Sequence, residues 1–407
     1  MTDTIKLPLE GIRVVELATV VAAPTTSRML CAYGAEVIKV ETLYGDEMRR
    51  AGKTEICPYD DDKNPLFTIH NSNKKLTSIN FKSSEGKAAL IRLIAGADVF
   101  ITNVREASLR RNGLDYDSLK EQFPRLIYAH FSGFGPKGPV ASNPGFDSTA
   151  FWLRSGPMAD WQVKGSFPFV PTYAFGDMAT SSVLLSGILM ALIGRNSTGL
   201  GTKVETSLFA SGIWCNAVGL VSTQFERNHL NPDPLHPCDP FDTYYLCADG
   251  KWIGIYVNEY WRDKEKLARL VGVEDILDDP RYEDIDSLHE SGVLPEIVER
   301  INKIFLTHDS AYWRQLLSEN SVSCEVMQYT CEVSKDPQAI ENHYVEEVEY
   351  ADGLKVMMPC PPVHFSDYGR RPYAPTGPIG RDTEQVFTEL GYNKEEIEAM
   401  RESGAIG

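Results

Sequence analysis

Apolar positions in the first two hundred residues come as short runs, separated by stretches with helical spacing. Ile12–Leu17 is mostly apolar and rich in β-branched residues, as suits a parallel strand covered on both faces. Residues 18–24 are small or β-branched and uncharged, and Pro24 suits the first turn of a helix. That helix runs through Leu30 and Tyr33 and stops at Gly34, which can take the left-handed backbone that closes a helix. Glu36–Val40 reads as the next strand. Further strands are expected at Ser78–Asn80, Val99–Thr102, Leu126–Phe131 and Lys203–Ser207, with a helix over Ser84–Ala95 ending at Gly96. Strand and helix alternate, so the predicted class is α/β, a doubly wound, Rossmann-like domain.

The pattern then changes. Residues 181–194, SSVLLSGILMALIG, read as a buried helix too short and too interrupted to span a membrane. TGLGT at 198–202 is a turn, and Leu208–Phe225 a second apolar helix. Residues 227–242 carry four prolines and read as a linker or loop. A hairpin over Thr243–Val257 turns at Ala248-Asp249-Gly250, and helical segments follow to about residue 325. From about 340 to 375 the chain is Pro-rich and extended, and the tail from Asp382 forms two short amphipathic helices. With 407 residues and 43% hydrophobic content, two to three domains are expected. The divisions are 1–225 for the first part of a large domain, 226–335 for a smaller one, and 336–407 for a linker and helices that return to the large domain.

The formal net charge of −17 argues against nucleic acid and anionic membrane as partners. An anionic ligand must therefore be held by a local cationic site. The N-terminal segment is polar, without the apolar region of a signal peptide. Eight scattered cysteines form no C-x-x-C pair, so zinc and redox motifs are unsupported and no metal site is expected. Free thiols fit a reducing cytoplasm.

The order strand–helix–strand at Gly11–Glu41 is that of a nucleotide-binding βαβ unit, yet no G-x-G-x-x-G lies between Leu17 and Arg28. An ordinary dinucleotide site is therefore excluded, and with it an NAD-dependent dehydrogenase. A purely structural crossover remains open on this segment alone. Asp177, in FGDMATSS, opens a small-residue apolar helix, where the helix N-terminus favours a carboxylate. On spacing alone a simple N-cap aspartate is the commoner explanation of that placement.

Several ordered segments together carry a resemblance. They include LEGIRVVELATVVAAP at 9–24, GAEVIKVE at 34–41, NSNKKLTSINFKSSEGK at 71–87, ADVFITNVREASLRRNGLDY at 97–116, SGFGPKGP at 132–139, PGFD at 144–147, FGD at 175–177 and APTGPIGRDTEQVFTELGY at 374–392. In these the chain resembles the class III CoA-transferases, the formyl-CoA and carnitine CoA-transferase family. It is most similar to the 2-hydroxyacyl transferases of anaerobic amino-acid fermentation, of the phenyllactate or 2-hydroxyisocaproate type. The resemblance implies an interlocked homodimer that exchanges CoA between an acyl-CoA and a carboxylic acid. CoA thioesters would be substrates, with no tightly bound cofactor. It places Asp177 as the nucleophile. It also implies CoA contacts at Val20, Val21, Ala22, Ile79, Lys82, Asn103, Val104, Arg105 and Arg111, and an active-site pair at Phe146 and Asp147. Arg110 beside Arg111 leaves that position ambiguous by one residue. The chain departs from the pattern in three places: PLHPCDPFD stands where relatives have a Gly-rich lid, Met178 follows the aspartate where the fermentative relatives have histidine, and Ser181 replaces a frequent glycine. Two alternatives share the fold, an acyl-CoA racemase and a non-catalytic CoA-binding protein. The first lacks its histidine, because Gly145-Phe146-Asp147 stands at that place.

Overall fold

The computed structural model describes residues 6–225 and 232–407. The first part of the expected linker at 227–242 lies outside the described residues. Contacts divide the chain into two compact units. The larger holds Met1–Pro157, Val170–Ser222 and Pro337–Gly407, and the smaller holds Met158–Phe169 and Thr223–Asp336. The segment Met158–Phe169, which the sequence reading leaves in the large domain, therefore belongs with the smaller unit.

The larger unit is built on six parallel strands: β1 (Arg13–Leu17), β2 (Glu36–Glu41), β3 (Lys75–Ser78), β4 (Val99–Thr102), β5 (Ile127–Ser132) and β6 (Lys203–Ser207). Their order is β3-β2-β1-β4-β5-β6, all pairs parallel. This is the doubly wound arrangement, with the order reversing between β1 and β4, where Leu17 lies opposite Thr102. The strands are apolar because helices cover both faces: Val14, Val15, Ile38, Phe100, Ile101 and Ile127 are fully buried. The β3 strand starts three residues earlier than the expected Ser78–Asn80. Beyond it Ile79 still donates its N–H to Glu41 O of β2 at 2.9 Å and also forms an isolated antiparallel bridge with Ile406. Val386 and Phe387 of helix Thr383–Glu389, with Ile397 and Met400 of helix Lys394–Glu402, join the cluster formed by Val15, Ile38 and Phe100.

The apolar run at 181–194 lies inside a longer helix, Phe175–Thr198, closed by Gly199 at φ 72°. By length and composition this helix could cross a membrane. In the larger unit it packs along the first helix, Ala22–Ala32, and against β5 and β6, and it buries Leu184, Ile188 and Leu192. The apolar stretch Leu208–Phe225 is not one helix; it breaks at Asn216 into Leu208–Cys215 and Ala217–Ser222. Inside the extended region near 340–375 lies a hairpin, β10 (Val345–Glu349) with β11 (Lys355–Pro359).

The smaller unit has its own antiparallel sheet, β7 (Tyr244–Leu246), β8 (Trp252–Tyr256) and β9 (Ser323–Val326). The β9 strand overturns a helical expectation. Four residues are too few to show a period, and pairing with β8 decides their conformation. Helices Tyr260–Val271, Leu294–Phe305 and Ser310–Glu319 supply the rest of this core, with Phe305 stacked on Tyr245 and tilted against Trp313.

Candidate active site

At the β1/β4 reversal the connecting loops diverge and leave a crevice beyond the strand ends, the usual ligand position in such sheets. A cavity of about 940 Å³ fills it. The walls are Ala18–Ala22 after β1, Asn103–Ala107 after β4, Ser132 and Gly133 after β5, and Pro144–Phe146, with Asp177 among them. Such a volume suits a ligand of considerable size.

Two loops form the reversal and are tied to one another. The Asn103 side chain accepts from Thr19 N–H at 3.1 Å and donates to Thr19 O at 2.8 Å. Its amide thus ties the β1 loop to the β4 loop through both backbone groups of Thr19. Val20 has φ 70°, a left-handed backbone rarely adopted by a β-branched residue. Its N–H donates to Asp46 Oδ1 at 3.0 Å. Opposite, the SGFGPKGP and PGFD segments meet through glycines: a Cβ on either Gly133 or Gly145 would stand 2.6 Å from the other's Cα. Both glycines are needed for this close backbone approach.

Asp177 sits in the first turn of the Phe175–Thr198 helix and is 8% exposed. Its backbone N–H donates to Asp147 Oδ1 at 3.1 Å. Asp147, at the start of a π-helical turn Asp147–Leu153, also receives the Gly176 amide and Trp152. A side chain at Gly176 would collide with Asp147 Oδ1 and the Phe151 ring, both at 2.3 Å. The FGD segment therefore needs glycine before its aspartate. Burial pushes the Asp177 carboxyl up to about 7, and the nearby Asp147 charge adds to the rise. Burial also raises Asp147, against the lowering effect of its amide donors. The helix N-terminus favours an anion by only about 0.3–2 kcal/mol, so burial prevails at Asp177. Tyr173 lies near enough for the Asp177 charge to help raise its hydroxyl, after burial. Thr25 Oγ1 pairs with His70 Nδ1 at 2.8 Å and reaches Met178 Sδ at 3.7 Å, so Met178 is held beside the aspartate.

Of the residues singled out from sequence, Val20, Val21, Ala22, Asn103, Val104, Arg105, Phe146 and Asp177 line the cavity. Four do not. Ile79 is fully buried in the sheet core, bridged to Ile406. Lys82 is exposed and off the wall, where Phe81 stands instead. Asp147 is not among the cavity-lining residues; its carboxylate accepts the Gly176 and Asp177 amides at the helix start. Arg111 points elsewhere on its short helix, and Arg110 lines the cavity, paired with Glu106 at 3.2 Å. Sequence spacing could not separate these neighbours, since adjacent helix positions face about 100° apart. Sequence reading also missed His130, between Glu205 Oε1 at 3.2 Å and Val104 O at 3.1 Å, and Lys203, paired with Glu205 at 2.9 Å. His130 is the fourth residue of β5, and Lys203 the first residue of the edge strand β6, so neither carries the strand-end position that marks Asn103–Arg105 in the sequence. Arg110→Ala is expected to raise KM for an acyl-CoA about tenfold, as loss of one charge-assisted phosphate contact would, while Arg111→Ala changes it much less. Steady-state titration of the acyl-CoA with each variant checks this.

The doubly wound domain thus gathers a left-handed backbone loop and the buried Asp177 carboxylate around one cavity, and its family match makes it a transferase. The chain belongs to CoA-transferase family III, whose profile matches residues 9–383. It is 35% identical to the (R)-2-hydroxy-4-methylpentanoate CoA-transferase of Clostridioides difficile, over 98% of this chain and 99% of that one. It is 31% identical to the cinnamoyl-CoA:phenyllactate CoA-transferase of Clostridium sporogenes, over 97% and 96%. Among solved structures, a CaiB/BaiF family protein from Brucella suis superposes with a TM-score of 0.79 at 27% identity, covering 95% of this chain and all of that one.

Proposed function

We propose that this transferase moves CoA from an acyl-CoA of the enoyl-CoA class to an (R)-2-hydroxy acid. The carrying observation is the Asp177 carboxylate, buried yet open to the cavity that Val20–Ala22 and Asn103–Arg105 enclose. The two relatives named for 2-hydroxy acids support the acid class. A carboxylate acceptor attacks a thioester poorly, so the exchange is divided into easier covalent steps. Asp177 attacks the donor carbonyl and expels CoA thiolate, leaving a mixed anhydride. The thiolate attacks the aspartyl carbonyl and releases the donor acid, giving an aspartyl-CoA thioester. The acceptor acid attacks that thioester and expels CoA thiolate, leaving a second mixed anhydride, and the thiolate then attacks the acceptor carbonyl to give the new acyl-CoA and free the Asp177 carboxylate. The thioester bond is conserved, so no ATP is consumed. Burial of Asp177 serves this route by limiting water, which would hydrolyse the anhydride. The test is CoA exchange followed by mass spectrometry, with an enoyl-CoA and a panel of 2-hydroxy acids in the absence of ATP. New hydroxyacyl-CoA is the expected product. α-Epimerisation of a 2-methylacyl-CoA in its place would move the assignment to a racemase.

The protein is further read as a cytoplasmic homodimer serving amino-acid fermentation. Its eight cysteines are free thiols, which suits a reducing compartment. The larger unit leaves Met190, Ile193, Trp214 and Val218 between 66% and 84% exposed, apolar surface that a second copy would cover. Light scattering is expected to give twice the chain mass, and Trp214→Glu with Val218→Glu to reduce it to one.

A further inference from the structure

Beneath the β1 loop lies a cluster of charges with no exposure at all. Lys39 Nζ spends its three protons on Glu16 Oε1 at 2.8 Å, Ala18 O at 2.9 Å and Asp46 Oδ2 at 2.8 Å. Asp46 turns its other oxygen to the N–H groups of Val20 at 3.0 Å and Met48 at 2.9 Å. Lys74 completes the pairing through Glu16 Oε2 at 2.7 Å. Fully buried charges are costly unless paired and hydrogen-bonded, and well-packed apolar residues often replace them without loss of stability. The fold gains something more specific here: Lys39 and Asp46 hold both ends of the Ala18–Val20 turn.

That turn carries the strain. A β-branched residue at φ 70° persists only where its surroundings over-determine it. Val20 also packs against the cluster of Val21, Met48, Phe67 and Ala174. Ala174 is itself left-handed, at φ 60°, and is the last residue before the helix that bears Asp177. The cavity wall and the start of the nucleophile helix therefore share one packed cluster, fastened by one buried ion pair.

We infer that Asp46, fixed by Lys39, is a positioning residue that holds Val20 in its left-handed conformation and so presents the Val20–Ala22 backbone to the CoA arm. This rests on the reading that the Val20–Ala22 wall receives CoA. Asp46→Asn keeps the size of the side chain but must turn an amide donor toward either Lys39 or the Val20 N–H. Glycine accepts a left-handed backbone without a clamp, so Val20→Gly should compensate.

The experiment measures the CoA dissociation constant, KM and kcat for an acyl-CoA, and amide exchange over residues 18–23, in the parent, D46N, V20G and the double variant. For D46N, about tenfold weaker CoA binding and a matching rise in KM are expected, with a smaller fall in kcat and faster exchange at Val20. The double variant should recover most of the binding. Should D46N bind as poorly with glycine as with valine at position 20, or exchange at Val20 as slowly as the parent, the clamp is refuted. If D46N yields no folded protein, recovery of folded protein in the double variant supports the clamp, and failure to recover overturns it. A parent that neither binds nor transfers CoA would overturn the functional reading, and amide exchange would still decide the clamp.

Discussion

Asp177→Ala is expected to lower CoA exchange by at least about 10⁴-fold while leaving CoA binding within a few-fold of the parent. The asymmetry follows from position. Asp177 stands at the start of its helix, and its tie to Asp147 runs through the backbone N–H rather than through the carboxylate. Removing the side chain deletes the attacking group but leaves both switch-point loops in place, because Asn103 and Asp46 hold them. The measurement is initial rate of hydroxyacyl-CoA formation beside a CoA binding isotherm. Equal product from parent and variant would remove Asp177 as nucleophile. Loss of binding together with loss of rate would assign it to the architecture of the wall instead.

The second large effect is on pH. A nucleophilic carboxylate must be ionised, and Asp177 is held up at about 7, chiefly by burial and secondarily by Asp147. The rate constant kcat/KM, which reports the free enzyme, should therefore rise about tenfold per pH unit below 7 and level off above it. Stability should run the other way. A carboxyl raised from 3.8 to about 7 on folding binds its proton more tightly in the native state. Its contribution is most favourable below pH 4 and is lost as the pH climbs to about 7, a cost of roughly 4 kcal/mol at most. Asp177→Asn removes that cost, so the inactive variant should melt higher than the parent at pH 8 and show little difference at pH 4. A pH–rate profile and a pair of melting curves check both signs. A rate that is flat from pH 5 to 8 would contradict the elevated carboxyl.

Much of this was legible in the chain because the signals were local. Helix Ser84–Ala95 and strands β4 and β6 carry their limits in Gly96, in apolar runs and in flanking turns, and they fall where the pattern puts them. Features that depend on distant partners were not legible. Ile79, just past the end of β3, bridges Ile406, and β9 is a strand only because β8 offers it an edge. The site divides in the same way. The Val20–Ala22 loop shows small residues at a strand–helix junction, whereas Asp177 stood out from an ordinary N-cap only through the family resemblance. Asp147 looks like a ligand-facing acid from its motif, yet the fold turns it onto the Gly176 and Asp177 amides. Asp46 and Lys39 look like surface charges, and only the fold reveals them as a buried pair.

The core of the larger unit is closed by residues from helices Thr383–Glu389 and Lys394–Glu402, packed with residues as early as Val15. During synthesis the first strands leave the ribosome long before the segments that cover them. The smaller unit, drawn mostly from the continuous stretch Thr223–Asp336, is made in between and can complete its own core first. The catalytic unit is thus the last to finish, and its β-sheet must wait, partly uncovered, for late-made helices. For a newly made chain, exposure to chaperones and to aggregation is concentrated in that interval.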